Sequence, residues 1–407
     1  MAGKKIIILA TLDTKGEESW YIKERIEAAG DTGLIIDAGV VGKPACKADI
    51  TREEVARAGG RELKELLEHP DREVAAPVMA AGAAKLVLEI QEEGRAHGII
   101  AMGGTQGTTL CTSVMRELPY GFPKVMVSTM ASGNVAPWVD IKDITMMFSV
   151  ADILGLNPVT RKILANAAWA VCGMANADVE LVREDHPLIA VTTVGITTLG
   201  AMKAVQVLQE EGYETIVFHA VGPGGRAMEQ MMREGIIGAV LDYSTIEVSN
   251  HMFDALLNGG EERLTVAGDL GIPQVLAPGA IEVLVYNEPE TVPPPFDTRR
   301  LVRHSPKITD VRLNTQEMRK VGEEIVRRLE HTKGKTYFMI PTLGFDSYST
   351  PPDGPFWDPE ADGAFVEALK ENLPENIEIV ERDLNIDDPK FAEESARKLI
   401  GLIRGGE

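Results

Sequence analysis

Cysteine is scarce in this chain of 407 residues, which contains only Cys46, Cys111 and Cys172. An odd number of widely spaced cysteines, without a C-x-x-C pair, indicates neither a disulfide framework nor a zinc site.

Positive charge is also scarce. The chain has 41 Lys and Arg residues but 62 Asp and Glu residues, which gives a net charge of −21. This charge disfavours electrostatic binding to nucleic acid or to an anionic membrane. Any anionic ligand must therefore be held by local donors or by a metal ion.

Long hydrophobic runs are lacking as well. The first apolar stretch follows Lys4 and Lys5, and Asp13 and Glu17 interrupt it too early for a signal peptide or a membrane span. We therefore expect a cytoplasmic protein. Because the chain is longer than the roughly 250–300 residues at which a single core stops growing, we also expect two domains, residues 1–184 and 185–407.

Strand and helix patterns alternate along both halves of the chain. Apolar runs typical of strands in the first half lie at residues 4–10, 33–37, 99–102, 124–127 and 144–148. Those of the second half lie at residues 188–191, 215–218, 238–241, 274–276, 336–340 and 377–380. Amphipathic segments separate these runs, which predicts an α/β fold with largely parallel sheets flanked by helices. In such sheets, ligands bind outside the carboxyl ends of the strands, so the loops that follow the strands are the candidate sites.

The most informative of these loops lies within residues 98–110, GIIAMGGTQGTTL. An apolar strand pattern stops at two glycines, and we expect residues 103–107 to turn the chain before a helix that starts at Thr108. Glycines allow backbone N–H groups to approach an anion, and a helix start adds unpaired donors and the positive end of the helix dipole. The segment lacks the lysine and the spacing of a Walker loop. A tight turn without a ligand is the alternative interpretation.

The loop after the first strand, residues 11–17, places polar side chains at another helix start. Thr11, Asp13 and Thr14 offer hydroxyl and carboxylate groups there, and Lys15 offers a cation for phosphate. An ordinary N-cap without ligand contact explains the same residues equally well.

Two further segments of the first half offer polar groups. Arg52 follows a capping-box pattern and is suited to a phosphate or a ribose-linked group, although a solvated arginine is an equal alternative. The loop at residues 128–134, STMASGN, follows a strand that should adjoin the glycine loop, and Asp140 and Asp143 come after it. These carboxylates suggest a metal site, whereas a plain connecting loop is the alternative.

The second half contains two corresponding loops, residues 192–198 and 219–226. The latter, HAVGPGGR, carries three glycines before a helix and an arginine after them, which is typical of an anion-binding turn. His219 stands at the end of a strand and is a candidate general acid or base, although a histidine in such a position is more often a hydrogen-bonded structural residue.

Three side chains follow the next strand of the second half. Asp242, Glu247 and His251 lie in one strand-to-helix connection, where Glu247 and His251 have the spacing of one helical face. The group suggests acid/base chemistry or a metal site, but no H-E-x-x-H or comparable ligand set is present.

Several sequence blocks together carry a resemblance to a known family. They are ILATLDTKGEE, DITREEVARAGG, the glycine loop, STMASGNVAPWVDIKDITMMFSVADILGLN, FHAVGPGGRAMEQM and PDGPFWDPEADGAF. The chain resembles the uncharacterised family that includes the ATP-binding amino-terminal domain of the tomato protein conferring resistance to tomato mosaic virus. The resemblance implies two tandem Rossmann-like subdomains, ATP binding and a tendency to form a homodimer.

The resemblance also places the nucleotide loops on this sequence. They map onto Thr11, Asp13, Thr14, Arg52, Gly103, Gly104, Thr105, Gln106, Gly107 and Thr108. Relatives commonly read G-G-S-G-G-T here, so Thr105 and Gln106 replace a serine and a glycine. Because Gln106 adopts positive φ less readily than glycine, we expect the geometry of the phosphate loop to differ from theirs.

Our leading hypothesis is a protein that holds ATP and Mg²⁺ at the carboxyl edge of the first sheet, with Asp13 reaching Mg²⁺. A second ligand or partner would then use the cleft between the subdomains. The alternative is an enzyme that acts on a small anionic substrate through His219, Asp242 and Glu247. A purely regulatory or scaffold protein is a third possibility.

Large apolar residues concentrate in one region of the first subdomain and suggest a homodimer interface. They are Met115, Met126, Met130, Trp138, Met146, Met147 and Phe148. Ordinary core packing is the alternative interpretation.

Overall fold

The computed structural model describes residues 3–68, 72–177, 179 and 186–405. The chain divides into two compact units, Met1–Leu181 and Val182–Glu407. The predicted boundary between residues 184 and 185 lies outside the described residues. Among the described helices, none is both long and apolar enough to cross a membrane.

The first unit contains a five-stranded parallel sheet. Its strands are β1 Lys5–Ala10, β2 Thr32–Asp37, β3 Gly98–Gly103, β4 Lys124–Ser128 and β5 Thr145–Phe148. The helices are α1 Leu12–Ala28, α2 Arg52–Ala58, α3 Leu63–Glu68, α4 Arg72–Glu92, α5 Thr105–Glu117, α6 Ala136–Val139 and α7 Pro158–Asn176. The strand order is β2-β1-β3-β4-β5, and every pairing is parallel. The direction of the connections therefore reverses between β1 and β3, where ligands bind in sheets of this order.

Helices cover both faces of this sheet because its strands are apolar on both sides. Ile7 and Leu9 of β1 face one core together with residues of α2, α4 and α5. Ile6 and Ile8 face the other core with residues of α1 and α7. The alternation follows from the two-residue period of a strand.

The second unit combines a parallel sheet with a small antiparallel one. Its strands are β6 Leu188–Thr193, β7 Thr215–His219, β8 Ile237–Ser244, β9 Gln274–Gly279, β10 Val283–Tyr286, β11 Leu301–Ser305, β12 Ile308–Arg312, β13 Thr336–Pro341 and β14 Ile377–Arg382. Its helices are α8 Thr198–Glu210, α9 Pro223–Arg233, α10 Ile246–Met252, α11 Val266–Leu270, α12 Thr315–Leu329, α13 Pro359–Asn372 and α14 Pro389–Ile403. The parallel sheet has the order β14-β13-β9-β8-β6-β7, so its connections reverse between β6 and β8. The other three strands form an antiparallel sheet in the order β10-β12-β11.

The predicted α/β class with two tandem sets of parallel strands and flanking helices is confirmed. The sequence patterns missed the antiparallel sheet. Its strands β11 (LVRHS) and β12 (ITDVR) are short and mix apolar with polar and charged residues, so they do not form the continuous apolar runs of a buried parallel strand.

Candidate functional site

The glycine pair after β3 forms a tighter junction than we predicted. β3 ends at Gly103, Gly104 is the N-cap residue, and α5 already begins at Thr105. The expectation that residues 103–107 form a loop before a helix at Thr108 is therefore wrong, because Thr105, Gln106 and Gly107 form the first helical turn. Gly104 has no side chain with which to cap this turn, and no side-chain cap is present. The first-turn N–H groups of α5 are therefore available to an external acceptor.

The two glycines serve different purposes. A Cβ atom at Gly103 would lie 2.8 Å from the Cα of Gly107, so the packing of β3 against α5 requires glycine there. A Cβ atom at Gly104 would meet only Thr129 Oγ1, at 3.8 Å. Gly104 adopts φ −77° and ψ −162°, which other residues also adopt. The space beside Gly104 and the helix start is therefore open, and a side chain at this position would enter it.

Gln106 does not disturb this geometry. Among the described residues, those with positive φ include neither Gln106 nor any glycine of the junction. Thr105 and Gln106 are exposed within the first turn of α5, while Thr108 is buried and its hydroxyl lies 2.7 Å from Ser128 Oγ. We expected Gln106 to change the geometry of the phosphate loop because it adopts positive φ less readily than glycine. Gln106 is helical, so its position requires no positive φ and this reason for a difference does not apply.

The loop after β1 lies on the other side of the point where the connections reverse. Thr11 is the N-cap residue of α1, and the Thr11 and Thr14 hydroxyl oxygens are 3.0 Å apart. Lys15 interrupts the helix with φ −129° and ψ 19°, and its Nζ donates to the Thr14 carbonyl at 3.2 Å. Residues 11–15 thus form a separate polar turn next to the glycine junction, as strands β1 and β3 are neighbours.

Asp37, which the sequence patterns did not single out, joins the loops after β1 and β2. It ends β2, is 1% exposed, and its Oδ1 accepts hydrogen bonds from the backbone N–H groups of Leu12 at 3.1 Å and Gly39 at 2.8 Å. Burial raises the pKa of Asp37, and these two hydrogen bonds and the charge of Arg52 act in the opposite direction. Its position directly after the apolar run of β2 is the sequence feature that could have identified Asp37 as a residue of the strand-end loops.

Asp13 and Arg52 both contact the loop that follows β2. A Cβ atom at Gly39 would lie 3.1 Å from Asp13 Oδ1, and one at Gly42 would lie 3.0 Å from Asp13 Cβ. Arg52 Nη1 donates to the carbonyl oxygens of Val40 at 3.2 Å and Gly42 at 2.8 Å. Arg52 therefore holds this loop in place, and no described hydrogen bond uses its Nη2.

The described part of the first unit does not provide a complete metal site from His, Cys, Asp and Glu side chains. Among the described residues, no group of three or more His, Cys, Asp and Glu side chains is placed to hold a metal ion. Asp143, which we considered for a metal, pairs with Lys124 Nζ at 2.7 Å. Because Lys124 begins β4 and Asp143 precedes β5, this pair lies at the amino edge of the sheet, opposite to the glycine junction. A magnesium ion at Asp13 would need oxygen ligands from a bound phosphate chain.

In the second unit, the predicted anion-binding turn already holds an anion from the chain itself. Gly222 is the N-cap residue of α9 and has φ 96°. Glu247 Oε1 accepts hydrogen bonds from the N–H groups of Gly222 at 2.5 Å and Gly225 at 3.1 Å. A Cβ atom at Gly225 would lie 1.9 Å from Glu247 Oε2, which explains glycine at this position.

Glu247 is part of a buried network around Arg263. Arg263 is fully buried, and its Nε contacts Glu247 Oε2 at 2.6 Å while its Nη2 contacts Asp242 Oδ1 at 2.7 Å. Its Nη1 lies 3.4 Å from Glu229 Oε1. Burial raises the pKa of Glu247 and raises that of Glu229 to about 7, although the Arg263 charge acts against both shifts.

The structure does not bring the three alternative catalytic residues together. Asp242 and Glu247 are 2% and 0% exposed, and the contacts described for their carboxylates are to other groups of the chain rather than to His219. His219 is exposed at the end of β7, with its Nδ1 3.2 Å from the Thr193 carbonyl oxygen. The geometry gives Asp242 and Glu247 a structural role. Sequence reasoning missed Arg263 because it lies outside the strand-end motifs.

These features define a class of protein: an α/β protein with two units of Rossmann-like architecture, in which the helix after the third strand of the first unit begins without a side-chain cap. The N-terminal domain of the uncharacterised protein family UPF0261 matches residues 4–180, and the C-terminal domain of that family matches residues 186–403. The chain belongs to this family.

Curated relatives agree with this assignment. A UPF0261 protein from Clostridium tetani is 42% identical over 98% of this chain and 99% of its own length. A second, UPF0261 protein RA0729 from Rhizobium meliloti, is 38% identical over 96% of this chain and 97% of its own. The ToMV resistance protein Tm-1(GCR237) of Solanum lycopersicum is 32% identical over 79% of this chain, and the match covers 43% of the tomato protein.

Among solved structures, UDP-GlcNAc 2-epimerase from Neisseria meningitidis aligns over 99% of this chain and 100% of its own, with 9% identity and a TM-score of 0.22. A score this low carries no functional argument.

Proposed function

We propose that this protein binds ATP together with Mg²⁺ at the carboxyl edge of the first sheet. The observation that carries the proposal is the uncapped start of α5 beside the open space at Gly104, between the ends of β1 and β3. Backbone N–H groups at a helix start favour phosphate because they combine free donors with the positive end of the helix dipole. The resemblance to a family with an ATP-binding domain favours a nucleotide over a simple phosphate ester.

The predicted residues have different roles in this proposal. The N–H groups of Thr105, Gln106 and Gly107 hold the phosphate chain, and Gly104 leaves the space for it. The polar turn at residues 11–15 borders the nucleotide on the β1 side. Arg52 has an indirect role, because it holds the loop at residues 40–42. Its Nη2 also offers a positive charge to the phosphate chain.

Asp13 is the proposed protein ligand of Mg²⁺. It lies against the loop after β2, and the described residues supply no complete metal cage. Mg²⁺ is commonly bound by one or two carboxylates together with substrate phosphates and water, so a lone carboxylate next to a phosphate chain fits the ion. This arrangement makes metal binding depend on the nucleotide.

The proposal predicts a specific thermal response. ATP with Mg²⁺ should raise the melting temperature, because a ligand at one hundred times its dissociation constant stabilises the folded state by about 2.7 kcal/mol. Asp13→Asn should lose most of the additional shift that Mg²⁺ gives over ATP with EDTA, whereas Asp353→Asn in an exposed loop should keep it. A melting temperature that does not move with millimolar ATP would refute nucleotide binding. An unchanged Mg²⁺ effect in Asp13→Asn would refute the assigned metal ligand alone.

A further inference from the structure

The carboxyl edge of the parallel sheet in the second unit is covered by the antiparallel sheet. A single apolar cluster joins residues that follow the parallel strands to residues of β10, β11 and β12. Its members include Val194 and Ile196 after β6, Ile246 after β8, Ala280 after β9, Val283 and Val285 of β10, and Phe356 after β13, with Val302, Ile308 and Tyr348 packed against them. The edge at which ligands bind in such sheets is thus enclosed by β11 and β12, which carry polar side chains at the rim.

His304 of β11 is the most notable of these side chains. It is 44% exposed, and its Nδ1 lies 2.8 Å from Tyr348 Oη and 3.8 Å from Asp310 Oδ2. A Cβ atom at Gly195 would lie 3.8 Å from His304 Cε1. The imidazole therefore stands beside the loop that follows β6, where the connections of this sheet reverse. None of the described hydrogen bonds uses its Nε2.

Asp310 supports the interpretation of His304 as more than a surface residue. This aspartate is 4% exposed, no described hydrogen bond uses its carboxylate, and its Oδ2 is the oxygen that lies 3.8 Å from His304 Nδ1. A buried carboxylate without hydrogen bonds is costly unless a partner compensates it. His304 is the group in position to do so. Asp310 and Tyr348 therefore fix the ring from the Nδ1 side and leave Nε2 to an external partner.

The loop beside the imidazole offers backbone donors. Gly195–Thr197 forms a short 3-10 turn that continues directly into α8, and Gly195 is exposed. The Thr197 hydroxyl is occupied by Val194 N–H at 3.2 Å and by Ser244 Oγ at 2.6 Å. The N–H groups of Gly195 and Ile196 lie in the first turn, where a helix has no internal acceptor.

We propose that Gly195, His304 and Tyr348 form a second binding site for a small anion that carries a carboxylate or phosphate group. Tyr348 Oη and the Asp310 carboxylate hold the imidazole from its Nδ1 side, which leaves Nε2–H directed away from them. Nε2–H and the N–H groups of the Gly195 turn then donate to the same anion. Asp310 is a positioning residue, because it acts through His304. The site lies within the second unit and does not depend on the proposed ATP site.

Histidine NMR tests the proposal directly. The Cε1–H signals of the chain's seven histidines can be resolved by selective labelling, and His304→Gln identifies the signal of His304. During titration with inorganic phosphate, and separately with acetate, at pH 7, we expect a saturable shift of the His304 signal. His331, which is exposed before β13 at the amino edge of the same sheet, is the internal control and should not shift in a saturable way. The two titrations distinguish a phosphate site from a carboxylate site.

Matched variants distinguish binding at this site from a general response of the protein to added salt. Gly195→Val should abolish the His304 response, while Gly363→Val, on α13 where a Cβ atom meets nothing within 4 Å, should preserve it. His304→Gln should weaken phosphate or acetate binding by about tenfold in calorimetry, as expected for one charge-assisted hydrogen bond. Gly104→Val should keep the response, since it alters only the proposed ATP site. Parallel, non-saturating shifts of His304 and His331, or no shift of His304 with either anion, would overturn the proposal.

Discussion

Single buried side chains decide which strand-end loops of this protein remain open. Asp37 uses the N–H groups of Leu12 and Gly39, and Glu247 uses those of Gly222 and Gly225. The donors of Gly222 and Gly225 are those that the glycine-rich pattern predicted to be free for an anion. The start of α5 differs because no side chain caps it. The internal anion at Glu247 is thus the physical reason why one glycine-rich turn is closed and the other is available.

Asp310 gives the clearest dependence on pH at the residue scale. Burial raises the pKa of Asp310 from its ordinary value of 3.8 to about 6, while the charge of His304 acts against the shift. The folded state therefore binds more protons than the unfolded state between these two values, and stability falls as the pH rises through them. The loss amounts to at most about 3 kcal/mol.

Asp310→Asn should remove this slope, because asparagine does not titrate. We expect the variant and the natural protein to differ in the pH dependence of their unfolding free energies between pH 4 and 6, measured by urea denaturation. Asp353→Asn, at an exposed position, should leave the slope unchanged. An unaltered slope in Asp310→Asn would show that the folded protein does not perturb this carboxyl group.

At the scale of elements, the sequence predicted the alternation of strands and helices but not where each element begins. The apolar run of β3 and the helical spacing after it were clear, whereas the start of α5 was placed three residues late. Glycine near a helix start suggests a loop. Here Gly103 packs closely against Gly107, so α5 begins almost directly after β3. The strands β11 and β12 were missed because polar and charged residues interrupt their short apolar patterns, even though most of β12 is buried.

We expect alanine substitutions at the two glycines between β3 and α5 to differ in their effect on stability. Gly103→Ala should destabilise the fold by about 1–3 kcal/mol, the usual cost of overpacking, because its Cβ atom would meet backbone. Gly104→Ala should be close to neutral, since its space is open and its φ suits alanine. Chemical denaturation of both variants measures the difference. Equal stability of the two variants would contradict the described junction.

At the scale of the whole molecule, the predicted homodimer interface needs revision. Met115 and Met126 are fully buried in the core of the first unit, so they are not available to a partner. Met146, Met147 and Phe148 belong to β5, which stands at the end of the strand order and is only partly buried. Met130 and Trp138 are also only partly buried. The homodimer stays a prediction, and the edge of β5 together with these two side chains is the part of the predicted region that still supports it.

Sedimentation velocity tests the homodimer. At tens of micromolar protein we expect a dimer, and Phe148→Asp should shift it towards monomer because a charge would enter the interface. Phe148 is 38% exposed. Val159→Asp is the control, since Val159 is also exposed and aspartate is favourable in the first turn of α7. A monomeric natural protein, or a dimer unaffected by Phe148→Asp, would contradict the predicted interface.

The candidate ATP site was predictable only in part. Gly103, Gly104 and the turn at residues 11–15 follow from strand-end position, which periodicity reveals. Asp37 and the contacts of Arg52 with the loop at residues 40–42 depend on tertiary packing, which no local pattern encodes. The same holds for His304, because its partners Asp310 and Tyr348 lie on different segments of the chain.

The most direct test of the central claim is a calorimetric titration of ATP with Mg²⁺ into the natural protein and two glycine variants. We expect saturable binding to the natural protein and to Gly173→Val, whose Cβ atom on α7 meets nothing within 4 Å. Gly104→Val should remain folded yet lose binding, because its branched side chain fills the space beside the first-turn N–H groups of α5. Equal affinity of Gly104→Val and the natural protein, or no binding to either, would contradict the proposed nucleotide site.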